Sequence, residues 1–167
     1  MTDVVVRGAT VVTPEGLQVA DVAVSDGVIE AVGRVDGEGR EEIDASGLHL
    51  FPGGIDPHVH FNEPGRTHWE GFDTGTRALA AGGFTTFVDM PLNSVPTTVD
   101  GAAFDVKRAA AEASAFVDFG LWGGLVPGSV DRLEELHDRG VAGFKAFMCD
   151  SGIDEFPRID DASLLRW

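Results

Sequence analysis

From residue 53 onward, short apolar runs alternate with helical stretches, and the alternation repeats four times. Ile55–His60 reads as a strand, and Phe72–Ala81 as an Ala-rich helix stopped by Gly82-Gly83. Phe84–Asp89 is a second strand, followed by a helix that Asp100 caps and that runs through Ser114. Ala102, Val106, Ala109, Ala110 and Ala113 are expected on its inner face. Phe116–Trp122 and Val141–Phe147 read as strands around a helix over Val130–Arg139, and Asp160 or Asp161 caps a last helical start reaching Trp167. Strands that are apolar almost throughout belong in a parallel sheet covered by helices on both faces. Four such strands suffice for an open sheet, whereas a (β/α)8 barrel needs eight strands and about 250 residues. With 167 residues, and an apolar Ser163-Leu164-Leu165-Arg166-Trp167 end lacking a following partner, the chain reads as interrupted.

Residues 2–50 have a different texture. Short apolar runs (Asp3–Arg7, Ala9–Thr13, Leu17–Ser25, Val28–Val32, Glu42–Asp44 and Leu48–Phe51) are separated by turn formers. Asp26-Gly27 between two β-rich runs is a hairpin signal. Val22 and Val24 share one face, and Ile29 and Ala31 flank Glu30, the period of two of a half-buried strand. The segment reads as a small antiparallel β-unit that needs further strands. The expected division is a β-rich segment over 1–51 and β/α units over 52–167.

Twelve basic against 28 acidic residues leave a net charge of −16, which disfavours phosphate backbones and anionic membrane surfaces as partners. No run approaches the roughly 18 apolar residues of a membrane span. The start of the chain lacks a basic and then apolar leader. A single cysteine, Cys149, fits a reducing cytoplasm. The acidity fits either an ordinary soluble protein or adaptation to high salt. Only two lysines, Lys107 and Lys145, stand against ten arginines.

Three stretches carry candidate chemistry. In Asp56-Pro57-His58-Val59-His60 the two histidines sit two apart on a strand, so both imidazoles leave one face at its C-terminal end. Such a pair suits zinc; two unrelated surface histidines are the alternative. Lys145 stands within the apolar strand Gly143–Phe147, either snorkelling to water or buried with an amine freed for chemistry, such as carbamate formation with CO2. The loop 61–70 offers Asn62 and Arg66, the latter pairing with Glu63 or Glu70, while His68 reads as a loop histidine. The loop after the second strand offers Asn93 and Ser94. Asp89 either accepts a histidine N–H or caps its loop.

Taken together, Phe51–Arg66, Gly82-Gly83-Phe84-Thr85-Thr86, Met90-Pro91-Leu92-Asn93-Ser94 and Gly143-Phe144-Lys145 resemble the cyclic amidohydrolases of the amidohydrolase superfamily. Within the allantoinase, dihydroorotase and hydantoinase group, the allantoinase branch is nearest. The resemblance spans nearly the whole chain. It implies an α/β fold, the N-terminal part of a (β/α)8 metal-dependent hydrolase barrel preceded by a small β-sandwich segment. It implies two divalent metal ions, zinc by expectation, with His58 and His60 on one and Lys145, as its CO2 carbamate, bridging both. Two further histidines and an aspartate belong to later strands. Metal-activated water then opens a cyclic amide. The family's dihydroorotases carry an arginine where this chain has Asn62, so the expected substrate is a neutral cyclic ureide, allantoin, opened to allantoate, with Asn62 and Asn93 binding it. Dihydroorotate or a hydantoin, with Arg66 as substitute cation, is the alternative. An inactive truncated or non-catalytic relative is another. A homo-oligomer is expected when complete, and the chain alone is expected to be inactive.

Overall fold

The computed structural model describes residues 2–165, so the Arg166-Trp167 end of the expected last helix lies outside the described residues. The chain divides into two compact units, Met1–Pro52 and Gly53–Trp167.

The first unit is a five-stranded sheet of β1 (Val4–Thr13), β2 (Gly16–Ser25), β3 (Val28–Gly33), β4 (Glu41–Asp44) and β5 (His49–Leu50). The hairpin forms as expected: Asp26 and Gly27 both take positive φ, 49° and 75°, the backbone of a tight turn matched to strand twist. Runs 3–7 and 9–13 are one strand, with a register irregularity between Val6 and Ala9. The unit is mixed, however, not antiparallel. After β3 the chain crosses back, and both β4 and β5 run parallel to β1. Ile29 and Ala31 also fail to supply a buried face, because β3 is the outer strand and its residues 28–32 are all exposed. The core lies under the central strands, in Ala9, Val11, Ala20, Val22 and Ala45.

The second unit carries the β/α repeat. β6 (Gly54–Val59), β7 (Phe84–Asp89) and β8 (Asp118–Leu121) form a parallel sheet in chain order. Trp122 separates β8 from β9 (Gly123–Gly124), which pairs in parallel with β10 (Phe144–Lys145). The helices are α1 (Phe72–Ala81), α2 (Gly101–Ser114), α3 (Leu133–Asp138) and α4 (Asp161–Leu164). The expected strands over 116–122 and 141–147 are therefore shorter, and the helix expected over 130–139 opens as a 3-10 turn, Val130–Arg132. Asp160, rather than Asp161, caps α4 by accepting the Ser163 N–H at 2.7 Å.

Phe61, Phe72, Phe87 and Ala111 pack α1 and α2 onto the sheet. Gly75 permits the approach of α1, since a Cβ there would lie 2.0 Å from the Phe61 ring. On α2 the inner face is not the one expected. Ala103, Phe104, Lys107 and Ala111 are buried, whereas Ala102, Val106, Ala109 and Ala113 are exposed and Ala110 is half-buried. The spacing of 103/104, 107 and 111 is helical, but it becomes visible only once a lysine is allowed inside.

Candidate active site

The β6 strand ends in the His58-Val59-His60 run. The Asp56 carboxylate accepts the His58 N–H at 3.1 Å, and the Trp122 indole donates to the Pro57 carbonyl at 2.9 Å. These bonds tie the segment both to itself and to Trp122, the residue that follows β8. The two imidazoles stand together as the spacing requires, with ring centroids 5.3 Å apart. His58 is exposed and His60 half-buried. His60 Nδ1 lies 3.3 Å from the Asn93 side-chain amide. With that amide turned so that its oxygen accepts an Nδ1–H, the Nε2 lone pair is left for a metal. Burial, then the nearby charges of His58, Lys107 and Lys145, hold the His60 pKa below its ordinary value. The imidazole is thereby kept neutral, the form that ligates.

Asn93 is itself set in place. It adopts φ 73°, a left-handed backbone that asparagine tolerates, and its carbonyl accepts from Arg66 Nη1 at 3.0 Å. Arg66 pairs with neither Glu63 nor Glu70. Its other nitrogen meets Glu155 Oε1 at 2.8 Å, and its guanidinium lies 5.3 Å from the Trp69 ring centroid. Glu63 serves elsewhere, accepting the Phe72 N–H at the start of α1, and Glu70 accepts the Thr74 hydroxyl. Arg66, Trp69, Asn93 and residues 152–155 line a cleft of about 430 Å³. Asn62 is 7% exposed, and its backbone closes the loop through Arg66 N and Glu70 O. His68 is an exposed loop residue against Trp69.

The buried lysine is Lys107, not Lys145. Lys145 is half-buried at the end of the two-residue strand β10, with Nζ 4.7 Å from the Phe147 ring centroid. Lys107 is 0% exposed, as is Asp89, and Lys107 Nζ lies 2.6 Å from Asp89 Oδ2. Among the described residues that oxygen has no hydrogen bond of good geometry, and its close contact is the ion pair with Lys107. Lys107 also donates to the Met90 carbonyl at 2.6 Å and lies 3.5 Å from Ser94 Oγ. Asp89 Oδ1 accepts the Phe61 N–H at 2.7 Å. Asp89 thus neither receives a histidine N–H nor merely caps a loop. Burial pushes its carboxyl up to about 6, against the opposing pull of Lys107. The sequence signal for Lys107 was its scarcity and its place in the α2 spacing.

Among the described residues no three His, Cys, Asp or Glu side chains converge as a metal set. A neutral imidazole beside a second imidazole is nevertheless a pair of donors of the kind that suits a zinc-type ion. The residues present fit part of a metal centre. The profile of the amidohydrolase family matches residues 49–156. The chain belongs to the amidohydrolase family. It is 64% identical over 163 residues to an allantoinase of Rubrobacter xylanophilus, covering 97% of this chain and 36% of that protein. It is 58% identical over 164 residues to an allantoinase of Solibacter usitatus, covering 98% and 36%. Among solved amidohydrolases, the L-hydantoinase (dihydropyrimidinase) of Arthrobacter aurescens superposes with a TM-score of 0.92 at 34% identity, covering 98% of this chain and 37% of that one. The chain spans about a third of the length of these relatives. The β/α units of the chain are accordingly the N-terminal part of an amidohydrolase barrel.

Proposed function

We propose that the protein carrying this chain hydrolyses a neutral cyclic ureide, allantoin, to allantoate. The observation that supports this most is the His58–His60 pair, with Asn93 against His60, in a chain 64% identical to an allantoinase. His58 and His60 would hold one divalent metal through ring nitrogens, and Lys145, as its carbamate, would supply oxygen ligands to the same centre. Zinc is the ion proposed. When bound, such a pair polarises a ring carbonyl and activates water. This chain's own part is to hold the imidazoles neutral and aimed, and to face the ring with uncharged groups, Asn93 and Asn62.

Dihydroorotate is the competing substrate, and it needs a cation for its carboxylate. Arg66 is committed to Glu155 and the Asn93 carbonyl, which favours the neutral ring. Assays of the full-length protein on both rings test the choice. Allantoin is expected to show the higher kcat/KM, and Asn62→Arg to shift preference toward dihydroorotate. A parent that prefers dihydroorotate overturns the assignment. Metal analysis of His58→Ala, His60→Ala and Lys145→Ala tests the ligands, each expected to lower occupancy without unfolding the protein. A cytoplasmic, homo-oligomeric enzyme belongs to the same proposal. No helix among the described residues is long and apolar enough to cross a membrane, and light scattering tests the assembly.

A further inference from the structure

We propose that Asp89 and Lys107 are positioning residues, a single buried ion pair that orients both His60 and the asparagine it contacts. The inference rests on the reading of His60 as a metal ligand. Asp89 Oδ1 takes the Phe61 N–H, the peptide immediately after His60, at 2.7 Å. This bond fixes the point at which the chain leaves β6, and so the direction of the imidazole. Lys107 reaches the opposite loop, donating to the Met90 carbonyl at 2.6 Å with Ser94 Oγ at 3.5 Å. These residues bracket Asn93, whose amide meets His60 Nδ1. The two side chains touch at 2.6 Å and are both 0% exposed, so the loops after β6 and β7 are fastened to one point. Apolar side chains of similar size often replace a buried ion pair without loss of stability, so the contacts that this pair makes to both loops point to positioning. Groups that orient a ligating histidine typically change metal affinity by about 10–100-fold when removed.

The test uses two double variants of the full-length protein and Co2+ as probe. Asp89→Leu with Lys107→Met removes both charges and the acceptor for the Phe61 N–H. Asp89→Asn with Lys107→Met removes both charges but keeps that acceptor. The Leu variant is expected to melt close to the parent yet bind Co2+ about 10–100-fold more weakly, with an altered d–d absorption spectrum. The Asn variant keeps the acceptor for the Phe61 N–H but loses the Lys107 loop contacts, and is expected to bind Co2+ more weakly than the parent and more tightly than the Leu variant. A folded Leu variant with the parent's Co2+ affinity and spectrum overturns the proposal. If the Leu variant does not fold, the Asn variant decides: a folded protein with weakened binding sustains the proposal, and parent-like binding without Lys107 overturns it. His60→Ala is the control for the underlying reading. If it leaves Co2+ binding unchanged, the metal assignment fails, independently of the ion pair.

Discussion

At the end of β6, His60 sits between a peptide held by Asp89 and an asparagine whose carbonyl is held by Arg66. At the end of β10, Lys145 stands on a two-residue strand, half-buried, with an aromatic ring near its Nζ. Both residues are proposed ligands of one centre. The histidine side is braced by side chains from α2 and from the loops after β6 and β7. The lysine side depends on a parallel pairing of β10 with β9 through Phe144–Gly123 and Lys145–Gly124. The difference teaches that a strand end can be made rigid in two ways, by buried polar contacts inside a β/α unit or by neighbouring strands, and this chain shows the first far more fully.

The sharpest way to break the comparison is to remove each lysine. Lys107→Met leaves a buried, unpaired carboxylate and is expected to destabilise the protein by about 3–5 kcal/mol in urea unfolding. Lys145→Met, which gives up a ring contact, is expected to cost only about 0.5–1 kcal/mol. Equal losses would show that the two sides are braced alike.

Acid separates the two sides further. The folded pKa of Asp89, about 6, lies above its ordinary value of 3.8, so the folded state binds the proton more tightly than the unfolded chain. Stability relative to the non-titrating Asp89→Asn, Lys107→Met variant should therefore rise as pH falls from 7 toward 4. Urea midpoints at pH 7, 5 and 4 check this, and a fall over that window would contradict it.

A smaller effect is expected where the loop after β6 feeds α1. The cap position is Gly71, which has no side chain, and the Glu63 carboxylate receives the Phe72 N–H instead at 2.9 Å. Glu63→Ala should cost about 1 kcal/mol, read from the shift in urea midpoint.

The smallest effect lies beyond β10, where Asp160 caps α4 and Ser163 holds its carboxyl below the ordinary carboxylate range. A depressed pKa contributes stability above 3.8 that is lost as pH falls through the folded value. Helical signal from this segment should therefore fade only below that range, opposite in direction to the response of Asp89. An Asp160→Asn protein with the same acid profile as the parent would contradict this.

How much was legible follows the range of each interaction. The bounds of α1, β7 and α2 follow from signals within a few residues: the Gly82-Gly83 stop, a β-branched apolar run, and Asp100 accepting the Ala103 N–H. The parallel return of β4 and β5 onto β1 carries no such signal, because a crossover is chosen by what the sheet edge offers. The same is true of the Arg66–Glu155 contact, which joins residues 89 apart.

Strand and helix periods, the His58–His60 spacing and the turn at Asp26-Gly27 were set by local sequence, because backbone geometry repeats every two or 3.6 residues whatever surrounds it. Which lysine is buried was decided only by tertiary structure. Lys145 lies in the more apolar strand, and Lys107 in an Ala-rich helix with charged neighbours at Asp105 and Arg108, so sequence points to the wrong one. An ammonium can be desolvated only where a carboxylate and carbonyls converge on it. Asp89, Met90 and Ser94 do so around Lys107 because β7 ends beneath α2, a meeting that no window of the sequence contains.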